Sequence, residues 1–251
     1  MTKRKISIIL KKIFFSNPEK ESLDSSFVEN VEVNYYGNVA SPRIKNVEKI
    51  YFDKENAKVL DVGCASGRES FYLASKGYDV KGVDYSKPMI EYAKKRVGKR
   101  KKISFDNVDV RYLKELGEYD YVISLFSVLS FIPKFSDRRK SVVNMVNSLK
   151  PGGKLILDLP YGFGNFRIFM KQIAFYLLFI LALKPRSFGD VYSNPTVPGS
   201  EMPNFQHYFN VKEVKNILKN IKNISFHFRF FNLYTGLKDK NNLLIVVEKN
   251  K

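Results

Sequence analysis

The sequence predicts an α/β fold: a doubly wound, mainly parallel sheet with helices on both faces and an α-helical and loop insertion after the fifth strand. Three observations predict it. The chain has 251 residues, 44% of them hydrophobic, enough to bury one substantial core. Between residues 58 and 159, short β-rich runs alternate with amphipathic stretches, the pattern of consecutive strand–helix–strand units. A glycine-bearing turn closes the first β-rich run, where a strand gives way to a helix.

Residues 1–50 read as a basic, helical N-terminal extension. Its opening, MTKRKISIILKKIFFS, begins like a secretory leader, but Lys11 and Lys12 interrupt the apolar run and no small-residue cleavage site follows. It reads either as a basic amphipathic helix resting on a membrane surface or as a frayed terminus. The core occupies residues 51–160, with strands expected at 58–62, 79–83, 102–108, 119–126 and 154–159. After the second strand, Met89, Ile90, Ala93 and Val97 line one helical face, with Ser86 and Pro88 as start signals. Residues 161–206 break the alternation and read as an inserted apolar lid or substrate-binding segment, being too long for a simple connection. Residues 207–251 complete the core with a helix over 211–221 and β-rich runs at 224–231 and 242–248.

Forty-three Lys and Arg against 25 Asp and Glu give a formal charge of +18, which favours anionic partners such as RNA, acidic substrates or lipid headgroups. One cysteine excludes an internal disulfide and a multi-thiolate zinc site, and with only two histidines no metal site is expected. A reducing, cytoplasmic location fits, with membrane association as an option. The longest apolar run, IAFYLLFILAL at 173–183, falls short of the roughly 20 residues that span a bilayer. The densest cationic run, KKRVGKRKK at 94–102, ends a helix and precedes the third strand, so topology puts it at the far end of the sheet from a ligand held by the strand ends. A cation-rich helix C-terminus is also favourable simply through the helix dipole.

The first strand runs into VLDVGCASG, with Gly63 and Gly67 permitting a tight turn and a close ligand. Asp84 ends the second strand about twenty residues later, where a carboxylate can hold both hydroxyls of a ribose. The ligand therefore contains a nucleoside. Neither the G-x-G-x-x-G pattern of a dinucleotide loop nor the G-K-S/T end of a phosphate loop is present. Asp61 inside the turn repels phosphate and suits a ligand with ammonium and sulfonium charge.

This loop resembles motif I of the class I S-adenosylmethionine-dependent methyltransferases, and the resemblance covers residues 56–160. It implies a Rossmann-like sheet of seven strands whose final strand is antiparallel, and S-adenosyl-L-methionine as cofactor. By resemblance, Asp61, Gly63, Cys64, Ala65 and Gly67 form the cofactor loop, with Asp84 and Tyr85 at the ribose. Asp109 is expected to accept from the adenine amino group, beside Val110, whose backbone completes adenine recognition. Leu125 and Phe126, in YDYVISLFSVLSFIP, line the methionine side, and LKPGGKLILDLP at 149–160 is similar to the family's turn and fifth strand. The family usually has glycine where Ala65 stands; alanine costs little there at negative φ, and cofactor affinity suffers if φ is positive.

A sulfonium is an activated methyl donor, so the protein mainly aligns the acceptor for in-line displacement and excludes water. Ser127 and Tyr161 are substrate candidates on strand-end loops, and His207 and Tyr208 are catalytic candidates, His207 as general base toward a hydroxyl. For His207 the alternative is a histidine bonded to backbone near the surface; His227 alternates with phenylalanines in a strand pattern and reads as structural. A helix over 168–183 is apolar nearly all round, interrupted by Lys171 and Gln172 and followed by Lys184 and Arg186. It suits a lid over a small or lipid-linked hydrophobic acceptor, with peripheral contact to an anionic membrane; a plain core helix is the alternative. Two other functions compete, an RNA (tRNA) methyltransferase and a non-catalytic cofactor-binding partner subunit; the oligomeric state is left open.

Overall fold

A computed structural model describes residues 40–181, 187–193 and 204–251. The expectations placed on residues 1–39, and on Lys184, Arg186 and the turn-rich stretch at 194–203, lie outside the described residues. Helix α1 spans Pro42–Tyr51, strand β1 Lys58–Val62, α2 Arg68–Ser75, β2 Asp79–Asp84, α3 Lys87–Val97 and β3 Ile103–Asn107. Then follow β4 Tyr119–Ser124, α4 Phe135–Ser148, β5 Leu149–Pro160, α5 Phe166–Leu181, β6 Asp190–Ser193, β7 Asn204–His207, α6 Val211–Leu218, β8 Ile224–Asn232 and β9 Leu237–Lys249. Short 3-10 turns follow β3 at Val110–Tyr112 and β4 at Val128–Phe131.

Seven strands form one sheet in the order β3-β2-β1-β4-β5-β9-β8. Strands β1 to β5 pair in parallel, while β9 lies antiparallel between β5 and β8. The expected mainly parallel sheet with its final strand reversed is therefore present, and that strand is interior rather than at the edge. Strand order reverses between β1 and β4, which opens the ligand crevice beyond the carboxyl ends of those two strands.

Each buried strand serves two cores. On β1, Leu60 and Val62 pack with Met145 and Val146 of α4 and Ile217 of α6, whereas Val59 packs with Ile44 and Val47 of α1, Leu73 of α2 and Ile90 of α3. The period of two puts Asp61 on the Val59 side, toward α2. Helix α1 was expected within the N-terminal extension; with Ile44 and Val47 fully buried it is part of the core. Ser41 caps it, accepting from the Ile44 N–H, and Pro42 opens it.

Two expected boundaries shift for local reasons. Strand β4 stops at Ser124 rather than at 126 because Phe126 and Ser127 take positive φ of 59° and 63°. The insertion contains a hairpin, β6 with β7, that the sequence reading did not anticipate and that reaches His207. No helix among the described residues is long and apolar enough to cross a membrane.

Candidate cofactor site

The turn after β1 is built from backbone. The N–H groups of Gly63 and Cys64 both donate to the Val83 carbonyl, at 2.8 and 3.1 Å, tying the loop to the end of β2. Gly63 and Gly67 have φ of +75° and +86°, and a Cβ on either would stand 2.4 Å from Val128 or Phe105, so both positions require glycine. The Cys64 side chain is buried, its sulfur 2.9 Å from where a Cβ on Gly82 would lie, so Cys64 offers a ligand its backbone.

Ala65 has φ of +49°, the left-handed conformation that costs an L-residue and not glycine. The condition under which alanine is harmless there is not met. Ala65→Gly is expected to stabilise the protein by about 0.5–1 kcal/mol, raising its Tm by roughly 1–4 °C in a thermal melt. An unchanged or lower Tm would show that the turn carries no such strain.

The Ala65 N–H donates to Asp84 Oδ2 at 3.0 Å, and the Ser86 N–H to Asp84 Oδ1 at 2.8 Å. Each oxygen of this buried carboxylate thus accepts one backbone bond and keeps acceptor capacity for a diol. Burial pushes the Asp84 carboxyl up, partly offset by those two bonds, with Asp109 adding repulsion. Asn107, missed by sequence reasoning, donates to the carbonyls of Asp84 (2.9 Å) and Tyr85 (2.8 Å) and so holds the far side of the loop. Asp61 is buried, accepts from Ser70 Oγ at 2.6 Å and is raised to about 7, chiefly by burial.

Asp109 follows the end of β3, and its carboxylate is gripped by Arg111, with Nε at 2.9 Å and Nη2 at 2.6 Å from Oδ2. It also caps the 3-10 turn through the Arg111 N–H at 2.8 Å. As placed, it serves Arg111, and accepting from an adenine amino group requires capacity beyond those bonds. Val110 is buried, its carbonyl accepting from Asn144 at 2.9 Å. Leu125 is buried too.

Phe126 lies between two guanidinium groups, Arg43 at 4.6 Å and Arg68 at 4.7 Å from its ring centroid. Arg43 also pairs with the fully buried Asp158 of β5. Both cations are already paired, Arg43 with Asp158 and Arg68 with Glu69 (Nε to Oε1 2.8 Å), so the turn after β4 is flanked by two ion pairs. Sequence reasoning missed both, because Arg43 comes from the presumed extension and Arg68 from an unremarkable helix start.

The acceptor-side candidates divide. Ser127 is half-buried at the carboxyl end of β4, its carbonyl accepting from the Ser130 N–H (2.8 Å) and hydroxyl (2.6 Å). Tyr161, half-buried at the end of β5, packs edge-on against Phe230 at 4.8 Å and tilts against Phe163 at 5.7 Å. Tyr208 follows β7, its N–H donating to the Gly189 carbonyl at 2.9 Å, and burial pushes its hydroxyl up, so it stays protonated.

His207 does not suit the expected role of general base. It is fully buried, with Nδ1 2.7 Å from Asp190 Oδ1 and Nε2 2.8 Å from Glu213 Oε2, so both ring nitrogens are already engaged. Nor does it sit near the surface on a backbone partner. Glu213 is bonded in turn by Arg138 Nη2 at 2.9 Å, and Arg138 Nη1 reaches the carbonyls of Ile132 (2.9 Å) and Pro133 (2.7 Å). This four-residue network ties the β6–β7 hairpin and α6 to α4 and the loop after β4. His227 lies exposed on the edge strand β8.

The cationic run ends α3 at the far end of the sheet, with Lys94, Lys95 and Arg96 in the last helical turn. Arg96 nevertheless reaches the back of the glycine loop, donating to the Ser66 carbonyl at 3.1 Å.

Residues 59–153 match a family model described as a methyltransferase domain. Mouse glycine N-methyltransferase is 34% identical over 116 residues, 40% of this chain and 39% of the mouse protein. A ubiquinone biosynthesis O-methyltransferase of Coxiella burnetii is 32% identical over 117 residues, 46% of this chain and 48% of that one. The chain thus matches about half the length or less of these curated relatives. A solved S-adenosylmethionine-dependent methyltransferase of Methanosarcina mazei superposes with a TM-score of 0.62 at 24% identity, over 78% of this chain and 94% of that one, a likeness of fold.

Proposed function

We propose that the chain, whose residues 59–153 match the methyltransferase-domain model, is a class I S-adenosylmethionine-dependent methyltransferase that acts on a small or lipid-linked hydrophobic acceptor. The carrying observation is the pair of buried carboxylates, Asp61 and Asp84, held across a turn that only glycine permits. The donor set fits the cofactor. Asp84 offers acceptors to a ribose diol, and Asp61 offers negative charge to a cationic ligand. S-adenosylmethionine supplies an activated methyl group, so the protein's own share is alignment and the exclusion of water. We assign acceptor positioning to Ser127 and Tyr161, which lie on neighbouring strand ends, and hydrogen-bond donation to Tyr208.

An apolar acceptor is supported by the rings beyond β5. Phe163 lies 5.3 Å from Phe169 and 6.1 Å from Phe188, and Tyr161 joins them through Phe163. The partial likeness to an O-methyltransferase of ubiquinone biosynthesis is compatible with this. An RNA acceptor draws less support, because the densest cationic run lies at the opposite end of the sheet.

Supplying methyl-labelled S-adenosylmethionine and the purified protein to a lysate, then separating lipid, RNA and small-molecule fractions, tests the reading. Label is expected in the lipid or the apolar small-molecule fraction, and to vanish with Asp84→Ala. Label confined to RNA would overturn the proposed acceptor. No turnover without an added partner protein would favour a cofactor-binding subunit.

A further inference from the structure

Helix α5 packs its smaller share inward. Phe175 and Phe179 meet Tyr192 of β6, and Phe205 of β7 completes that cluster. Outward stand Phe166, Met170, Leu177, Ile180 and Leu181, with Phe166 76% and Leu181 81% exposed. At 100° per residue these five share one arc of about 100°, bordered on one side by the exposed Arg167 and Lys171. A helix that turns its larger apolar face to solvent is partnered in use.

A second exposed apolar group lies at the same end of the sheet. The β8–β9 turn presents Tyr234 and Leu237, 58% and 67% exposed, beside the exposed Lys238 and Lys240. It adjoins the segment leading to α5, for Gly164 lies directly against the Lys240 carbonyl. Both groups sit at the carboxyl ends of the parallel strands, where the cofactor loop also lies.

The charge around this surface selects its partner. Residues 161–189 contain no Asp or Glu, and their cations include Arg167 and Lys171. The one acid of the turn, Asp239, is occupied by Asn232, Asn241 and Asn242. A second copy would bring the same cations and a like charge of +18, so self-association is opposed. We infer that α5 and the β8–β9 turn form a docking surface for an anionic lipid bilayer, with apolar side chains in the acyl region and cations at the phosphates. Docking there brings the carboxyl-end face of the sheet to the membrane, whatever the acceptor.

The chain contains no tryptophan, so Leu177→Trp and, at the opposite end of the sheet, Leu116→Trp each give a single reporter. With full-length protein and vesicles of phosphatidylcholine containing 30% phosphatidylglycerol, Leu177→Trp emission should shift to the blue and be quenched by brominated acyl chains, and Leu116→Trp emission should not. Binding to these vesicles should exceed binding to pure phosphatidylcholine by about tenfold or more, and Arg167→Glu with Lys171→Glu should remove most of that preference. Leu177→Glu with Leu181→Glu should weaken vesicle binding at least tenfold while S-adenosylmethionine binding, measured separately, persists. Vesicle binding that these α5 variants leave unchanged would overturn the assignment, since it would come from elsewhere, such as the cations among residues 1–39. So would a vesicle-free dimer that Leu177→Glu dissociates.

Discussion

Glu213→Gln is expected to lower the Tm at pH 6 by roughly 6–12 °C, because breaking a buried ion pair costs about 3 kcal/mol or more and each kcal/mol moves a domain of this size by about 2–4 °C. The substitution leaves Arg138 and His207, both fully buried, facing one carboxylate instead of two. With the imidazole protonated, the formal charges of Asp190, His207, Glu213 and Arg138 sum to zero, and removing one acid leaves a net positive charge where water cannot screen it. Burial of the His207 ring lowers its pKa, but the bonds from Asp190 and Glu213 outweigh that and hold it above 6.5. The stabilisation from this shift is therefore complete below about pH 6.5 and is lost as pH rises through the raised value. Glu213 moves the other way: burial raises it, but His207 and Arg138 outweigh that and hold it below 4.5. Its contribution is present above about pH 4.5 and is lost as pH falls through the lowered value. In thermal melts from pH 4 to 9, the Tm difference between the parent and Glu213→Gln should be largest between about pH 4.5 and 6.5 and should shrink as pH rises through the raised His207 value. A Tm within about 2 °C of the parent at pH 6 would mean that the network is not a stabilising ion cluster.

What the sequence made legible was local. Strands β1 and β4 and the second half of β5 are buried on both faces, so they read as dense β-rich runs that single residues do not disguise. The hairpin of β6 and β7 escaped notice because DVYS and NFQH are four residues each, too short for a period to emerge. Gly63, Gly67 and Asp84 were legible because a strand end, a tight turn and the next strand end fix their spacing. Arg43 and Asp158 were not, because they are 115 positions apart and meet only through packing of α1 against β5. The same holds for His207, whose partners sit 17 and 6 residues away and convert a candidate base into an anchored ion. Backbone strain was equally hidden. Among the described residues, six non-glycine positions have positive φ; three are asparagines, which tolerate it, and the others are Ala65, Phe126 and Ser127, all beside the cofactor crevice.

Asp61 gives the sharpest consequence for binding. In the unliganded protein its carboxyl is raised to about 7: burial dominates, Ser70 partly offsets it, Glu69 and Asp84 add repulsion and Arg68 relieves a little. A cationic ligand reverses that balance, so the bound form favours the carboxylate and cofactor binding below pH 7 expels a proton. S-adenosylmethionine affinity should therefore fall about fivefold from pH 7 to pH 6, in a window where the cofactor's own α-amino group stays mostly protonated. Titration calorimetry in two buffers of different ionisation enthalpy should count close to one proton released at pH 6 and about half a proton at pH 7. Asp61→Asn preserves the shape and the contact with Ser70 but not the charge. It should flatten this pH dependence and weaken binding at pH 7.5 by roughly 10- to 150-fold, the worth of one charge-assisted hydrogen bond. It should also raise the Tm of the unliganded protein at pH 8, since a carboxyl raised from its ordinary value destabilises the fold once pH exceeds the unfolded pKa, most fully above about 7. A variant more stable when empty and weaker in binding would identify Asp61 as a charge held at a cost to the fold for the sake of the cofactor. Affinity independent of pH between 6 and 7 in the parent would show instead that Asp61 stays neutral in the complex and serves only as a hydrogen-bonding group.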